Sequence, residues 1–227
     1  MADWANSIIV DQATDTFRDA ADVSPQIRKQ FDEVFRRFSA IMSCIDNLDL
    51  ALKFVEARRP RRKDIKLDQY LNYHITAYIQ EIYILSERLE QYATLMMRRK
   101  TRSTNDAKAT ERFNRLISQL RDSLEKIIKA RGTHVHDRPF DDESLTMLST
   151  YSFLAPRDER FAALAAKEYR KAKKIWVETL KANKKQLDDL IDHYCDFIYE
   201  ELVPNWTDML PNNSFKPTPL RGVGKAS

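Results

Sequence analysis

Apolar residues recur at steps of three and four along most of this chain. Ile27, Phe31, Val34, Phe38, Ile41 and Ile45 form the first such series. That spacing returns each side chain to the same side of an α-helix. Ser24-Pro25 stands just ahead of it: serine as an N-cap, and proline at the first helical position, where a backbone N–H would have no partner. Pro60 disfavours helix in the residue before it. The series therefore predicts a helix from Pro25 to about Arg59. Leu71, Ile75, Tyr78, Ile82, Leu85, Leu89, Tyr92 and Met96 predict a second, from Leu67 to about Arg99. Their steady alternation is what two long packed helices require. A polar link is expected from Lys100 to about Ala109. Phe113, Leu116, Leu120, Leu124, Ile127 and Ile128 mark a third helix that should halt at Gly132. Residues 134–156 read as irregular, with one helical turn around Glu143 to Leu148. A last helix should run from near Arg157 to just before Pro204, carrying among others Phe161, Leu164, Ile175, Trp176, Leu180, Leu187, Ile191 and Ile198. Its length suggests a kink or break between Lys171 and Lys185.

Composition narrows the fold class. The chain has three glycines, Gly132, Gly222 and Gly224. Tight strand-connecting turns rely on glycine for positive φ, and one glycine before residue 222 cannot supply many. The expectation is an all-α bundle of long antiparallel helices: a single domain over 1–204 and a disordered tail over 205–227. The tail holds three of the eight prolines. Hydrophobic residues at 43% and charged ones at 32% fit a folded chain. No apolar run approaches the ~20 residues that cross a bilayer. Met1-Ala-Asp-Trp4 lacks a basic and apolar leader, so the expected location is cytoplasmic, with no membrane partner. Cys44 and Cys195 sit in helical patterns and read as reduced thiols. A net charge of +4 permits a polyanionic partner without demanding one.

The segment Lys129-Ala-Arg131-Gly132-Thr-His134-Val-His136-Asp137-Arg138 is where chemistry concentrates. It holds two of the four histidines and the single glycine of the folded region. On an uninterrupted helix Arg131 and His136 point well apart, at ~100° per residue. A glycine directly after Arg131 lets the chain leave helical geometry, so that the two meet. Arginine offers a permanent charge and a planar fork of donors to phosphate oxygens. Histidine gives or takes a proton near neutral pH. The pair suits metal-free RNA cleavage: the 2′-hydroxyl attacks its own phosphate, histidine moves protons and arginine stabilises the phosphoryl oxygens. His134 is an alternative proton carrier or a helper. The same residues also read as cations complementing a helix C-terminus. His134-x-His136-Asp137 could ligate a metal only with help from His74 or distant carboxylates, and neither metal nor cofactor is expected. Arg98, Arg99, Lys100 and Arg102, like Arg58 to Lys63, read either as solvated links or as a phosphate-tracking rim. His74 and His193 read as structural.

Arg131 and His136, with four residues between them, resemble the R-x4-6-H motif of the HEPN superfamily. The likeness extends to the order of helices over roughly residues 67 to 200. It implies a helical homodimer with two motif copies across the interface. It further implies a metal-independent endoribonuclease of the toxin–antitoxin or antiphage kind, acting on RNA and often paired with a nucleotidyltransferase-like antitoxin. Family members tend to carry an acidic residue on the preceding long helix, which here is Glu81 or Glu87, with Glu81 favoured. Arg138 joins Arg98, Arg99, Lys100 and Arg102 as the RNA-contacting set. The family often has a polar residue after the arginine, where this chain has Gly132. That departure favours an alternative, a non-catalytic HEPN-like module binding RNA or a protein partner. Separately, Asn213-Ser-Phe-Lys-Pro-Thr-Pro-Leu-Arg-Gly222 resembles the read-through peptide translated from recombination sites of bacterial integron gene cassettes.

Overall fold

A computed structural model describes residues 25–57, 64–104, 106–136 and 142–202; over 25–27, 103, 104, 107 and 126–136 it describes the backbone alone. Five helices account for nearly all of it: α1 (Pro25–Glu56), α2 (Leu67–Thr104), α3 (Ala107–His136), α4 (Glu143–Leu154) and α5 (Glu159–Leu202). No strand occurs among the described residues. The all-α bundle expected from the periodicity is what the chain forms. The tail resemblance falls on residues outside the described set.

α2 is the axis of the bundle. It packs against α1, α3, α4 and α5. All eight members of its apolar series, from Leu71 to Met96, are buried, five of them completely. Burying a side chain of this size contributes roughly 1.5–3 kcal/mol, so this one stripe is a large part of the driving force. α1 lies antiparallel to α2: the Tyr70 hydroxyl donates to the Phe54 carbonyl (3.0 Å), and at the other end Arg99 donates to the Gln30 carbonyl (2.8 Å). α3 returns antiparallel on the opposite flank, tied by Arg121 to Glu90 (2.7 and 2.9 Å). α5 runs parallel to α2. The Tyr78 hydroxyl donates to the Leu180 carbonyl (3.3 Å) and the Tyr194 hydroxyl to the Leu89 carbonyl (2.9 Å). Each phenol thus satisfies its buried O–H on the neighbouring helix, and burial raises the pKa of both.

Four expectations need correction. The polar link after α2 is much shorter than expected, because α2 continues to Thr104 and α3 begins at Ala107. Asp106 makes this close joint workable by accepting from the backbone N–H groups of Lys108 (2.9 Å) and Ala109 (3.2 Å). α4 is a full helix, not one turn. Asp142 caps it by accepting from Leu145 N (3.0 Å), and its apolar residues lie on several sides, so no helical period announces it. α5 is continuous. Its buried seam runs Ala165, Tyr169, Ala172, Trp176, Leu180, then Leu187, Ile191, Tyr194 and Ile198. The polar stretch between Leu180 and Leu187 is bridged by Lys184, which pairs with Asp49 of α1 (3.3 Å) and with Asp188. Finally, α3 does not halt at Gly132 but continues to His136.

A glycine inside an unbroken helix loses more backbone freedom on folding than alanine does. Gly132→Ala should therefore raise stability by about 0.5–1 kcal/mol. Urea denaturation monitored by circular dichroism checks this. A loss of stability would indicate that residue 132 needs glycine's conformational range.

Candidate functional site

The backbone of α3 carries Arg131, His134 and His136 on its last two turns; their side chains, and Arg138 entirely, lie outside the described residues. With helix through Gly132, Arg131 and His136 occupy positions five apart. At ~100° per residue those positions are separated by about 140° around the axis. The local break that was to bring them together in one chain is not there.

Glu81 sits on the α1-facing side of α2. It is half-buried and accepts from Asn47 Nδ2 (3.1 Å). Beside it, Arg88 donates to the Ala40 carbonyl (2.6 Å) and to Cys44 Sγ (2.9 Å). The Cys44 thiol is fully buried. Burial pushes its pKa up to about 12, aided by Glu81 and opposed by Arg88, so it stays a thiol. Asn47, Glu81, Arg88 and Cys44 form a polar joint between α1 and α2. Glu87 is exposed.

The four cations at the end of α2 have different surroundings. Arg98 and Arg102 are exposed. Arg99 reaches the Gln30 carbonyl and lies 3.6 Å from Glu33. Lys100 is 5% exposed, donating to the Glu201 carbonyl with the Glu201 carboxylate 3.7 Å away. Glu201 also binds Arg112, which in turn holds Asp106 (2.9 Å). Lys100, Asp106, Arg112 and Glu201 thereby tie α2, the α2–α3 joint, α3 and the end of α5 into one network. Contact with Glu201 and Asp106 keeps Arg112 firmly cationic, and Arg112 holds the Asp106 carboxyl below the usual range. Sequence reasoning missed this network, because no local spacing relates positions 100, 106, 112 and 201. The run Arg58 to Lys63 lies outside the described residues.

His74 packs among aromatic rings: Phe54 stacked at 4.7 Å, and Tyr70 and Tyr73 edge-on at 4.5 and 5.2 Å. Among the described residues, no three histidine, cysteine or acidic side chains come together as metal ligands would. Nor is any described helix long and apolar enough to cross a membrane. Comparison with family models, curated proteins and solved structures gives no match.

Burial lowers the pKa of His74. The unfolded chain therefore takes up a proton that the folded chain resists. Stability should be fully present above the unfolded pKa of about 6.5 and fall as pH drops below it, toward the folded value. Chemical denaturation at pH 7.5 and 5.5 measures the difference. It should shrink in His74→Phe, which keeps a ring against Phe54 without the proton site.

Proposed function

We propose that this protein is a homodimeric, HEPN-like, metal-independent RNA endonuclease in which Arg131 and His136 do the chemistry. The observation that carries the reading is the pairing of a permanent cation with a near-neutral proton carrier on the last two turns of α3. In the reaction, the RNA 2′-oxygen attacks the adjacent phosphorus and loses its proton. The 5′-oxygen of the next nucleotide leaves and gains one. The products are a 2′,3′-cyclic phosphate and a 5′-hydroxyl. His136 or His134 carries the proton, and Arg131 offsets charge on the phosphoryl oxygens. Single-stranded and looped RNA is the expected substrate, because its backbone and bases are reachable. DNA, lacking the 2′-hydroxyl, is not cut. Exposed Arg98 and Arg102 sit at the C-terminal end of α2, about 30 Å along the helix axes from the last turns of antiparallel α3, so phosphates they meet belong to a stretch of RNA away from the reacting pair. A nucleotidyltransferase-like antitoxin is the expected partner.

The unbroken helix adds a requirement. One copy of α3 separates Arg131 from His136, so the reacting pair is drawn from two copies across a two-fold axis. A second reading, a non-catalytic module that binds RNA or protein, is favoured by the same continuity through Gly132 and by Glu81 facing α1. The two separate on RNA incubated with chelator. The enzyme reading expects cyclic-phosphate ends from the wild type and none from His136→Ala. It expects a ~10²–10³-fold loss for Arg131→Ala, the usual cost of removing a preorganised charge partner. Glu81→Ala should be milder. Equal residual cleavage in wild type and His136→Ala sinks the enzyme reading, as does none in wild type freed of antitoxin; RNA retention without cleavage establishes the module. Mixing Arg131→Ala with His136→Ala chains tests sharing: random pairing across a two-fold interface should restore about a quarter of wild-type activity. No recovery would place the pair within one chain.

A further inference from the structure

The solvent side of α5 divides sharply by charge. Between residues 160 and 185 the helix as a whole has nine lysines and arginines against two acids, Glu168 and Glu178; from 186 to 202 it has six acids and no lysine or arginine. Lys167, Arg170, Lys171, Lys174, Lys181 and Lys185 are exposed. So are Asp189, Asp192, Asp196 and Glu200. At ~100° per residue these ten positions fall within an arc of about 120°, opposite the buried seam. α5 therefore presents one continuous charged face, basic along its first part apart from the exposed Glu178 and acidic along its last.

The helix gains nothing from this arrangement by itself. Its macrodipole favours acids at the N-terminus and cations at the C-terminus, whereas the last turn of α5 holds no basic residue and two acids. The fold engages five of the nine cations: Arg160 pairs with Asp158 (2.7 Å), Lys171 lies 3.8 Å from Glu168, Lys173 donates to the Glu56 and Ala57 carbonyls, Lys181 pairs with Glu56 (2.7 Å), and Lys184 serves Asp49 and Asp188. Nor do the halves screen each other. Their centres are some 20 residues apart, about 30 Å along a helix, against a Debye length of ~8–10 Å. A nucleic acid following the face would pass from cations onto acids. A second copy of α5, laid antiparallel, meets complementary charge along the whole length.

We propose that α5 is a self-association surface. Two copies of the chain pair across a two-fold axis near Lys185 to Asp189, the basic half of each helix against the acidic half of the other. A two-fold interface must be self-complementary, and a helix divided once by charge near the middle of this face meets that condition. Ile175 and Leu164, 41% and 38% exposed, lie beside the basic half as apolar contacts. The inference uses only α5 and stands whether or not the chain cleaves RNA.

Light scattering and sedimentation of the full chain test it. The wild type should be a dimer at micromolar concentration, and its dissociation constant should rise at least about tenfold between 0.1 and 0.5 M salt, as the charges are screened. Lys167→Glu with Arg170→Glu and Lys174→Glu leaves three cations and three new acids at the six basic positions of the face, an acidic variant whose first half has lost its positive charge. Asp189→Lys with Asp192→Lys and Asp196→Lys leaves one acid and three new cations at the four acidic positions, a basic variant whose last half has lost its negative charge. Each triple variant should keep its helicity and become monomeric, and an equimolar mixture of the two should recover the dimer mass. A monomeric wild type overturns the proposal. So do reversed chains that remain dimers, and so does a mixture that stays monomeric while both variants are folded. An unchanged dimer mass with RNA retention lost only in the acidic variant would assign the basic half to nucleic acid instead.

Discussion

The apolar stripe from Leu71 to Met96 is the constraint on which the rest depends. A single helix cannot bury such a stripe by itself. α2 is long enough, and apolar on enough of its circumference, that four other helices are needed to cover it. Their directions follow. α1 and α3 join α2 through short links and must return antiparallel. α5 arrives through the α4 turn and lies parallel to α2. Buried phenols on α2 and α5 then fix register, because each O–H must find a carbonyl at one height on its neighbour.

Polar contacts take over where apolar ones end. Lys100, Asp106, Arg112 and Glu201 close one end of the bundle. Toward the other, Lys173 donates to the Glu56 and Ala57 carbonyls, satisfying acceptors that the end of α1 leaves free of helical partners. Lys184 holds α1 to α5 where the α5 seam is interrupted. Its burial disfavours the charged form, but contact with Asp188 and Asp49 outweighs that and raises its pKa. A half-buried ammonium retained between two carboxylates gives the long helix a reason to stay straight where its apolar pattern lapses.

What could be read in the sequence was what repeats locally. The α2 series was legible in full, as were the starts of α1 and the core of α3, since steps of three and four carry that information in every turn. Phe31 marks a limit: it belongs to the first apolar series yet is 38% exposed, while the deep core of α1 is Ile41, Cys44, Leu48, Ala51 and Val55. α4 was nearly invisible because apolar residues surround it. The lapse in α5 looked like a break because its repair, Asp49, is over a hundred residues away in sequence. Gly132 looked like a stop because glycine disfavours helix, yet α3 passes through it. For the site, residue types and spacing suggested a chemistry, but Glu81 was assigned by helix order alone, and order does not say which neighbour a side chain faces. Lys100 was grouped with solvent-facing cations for the same reason.

The functional reading depends on α3 being presented at a fixed height and angle by α2, with its last two turns carrying Arg131 and His136. Native-state hydrogen exchange, followed amide by amide, tests that dependence most directly, because it separates segments that open only with the whole fold from those that open locally. α2 amides from Leu71 to Met96 should be the slowest in the chain, exchanging only through global unfolding, with α4 opening earlier. Exchange of the α2 amides as fast as those of α4, or before α5, would contradict an architecture organised around that stripe.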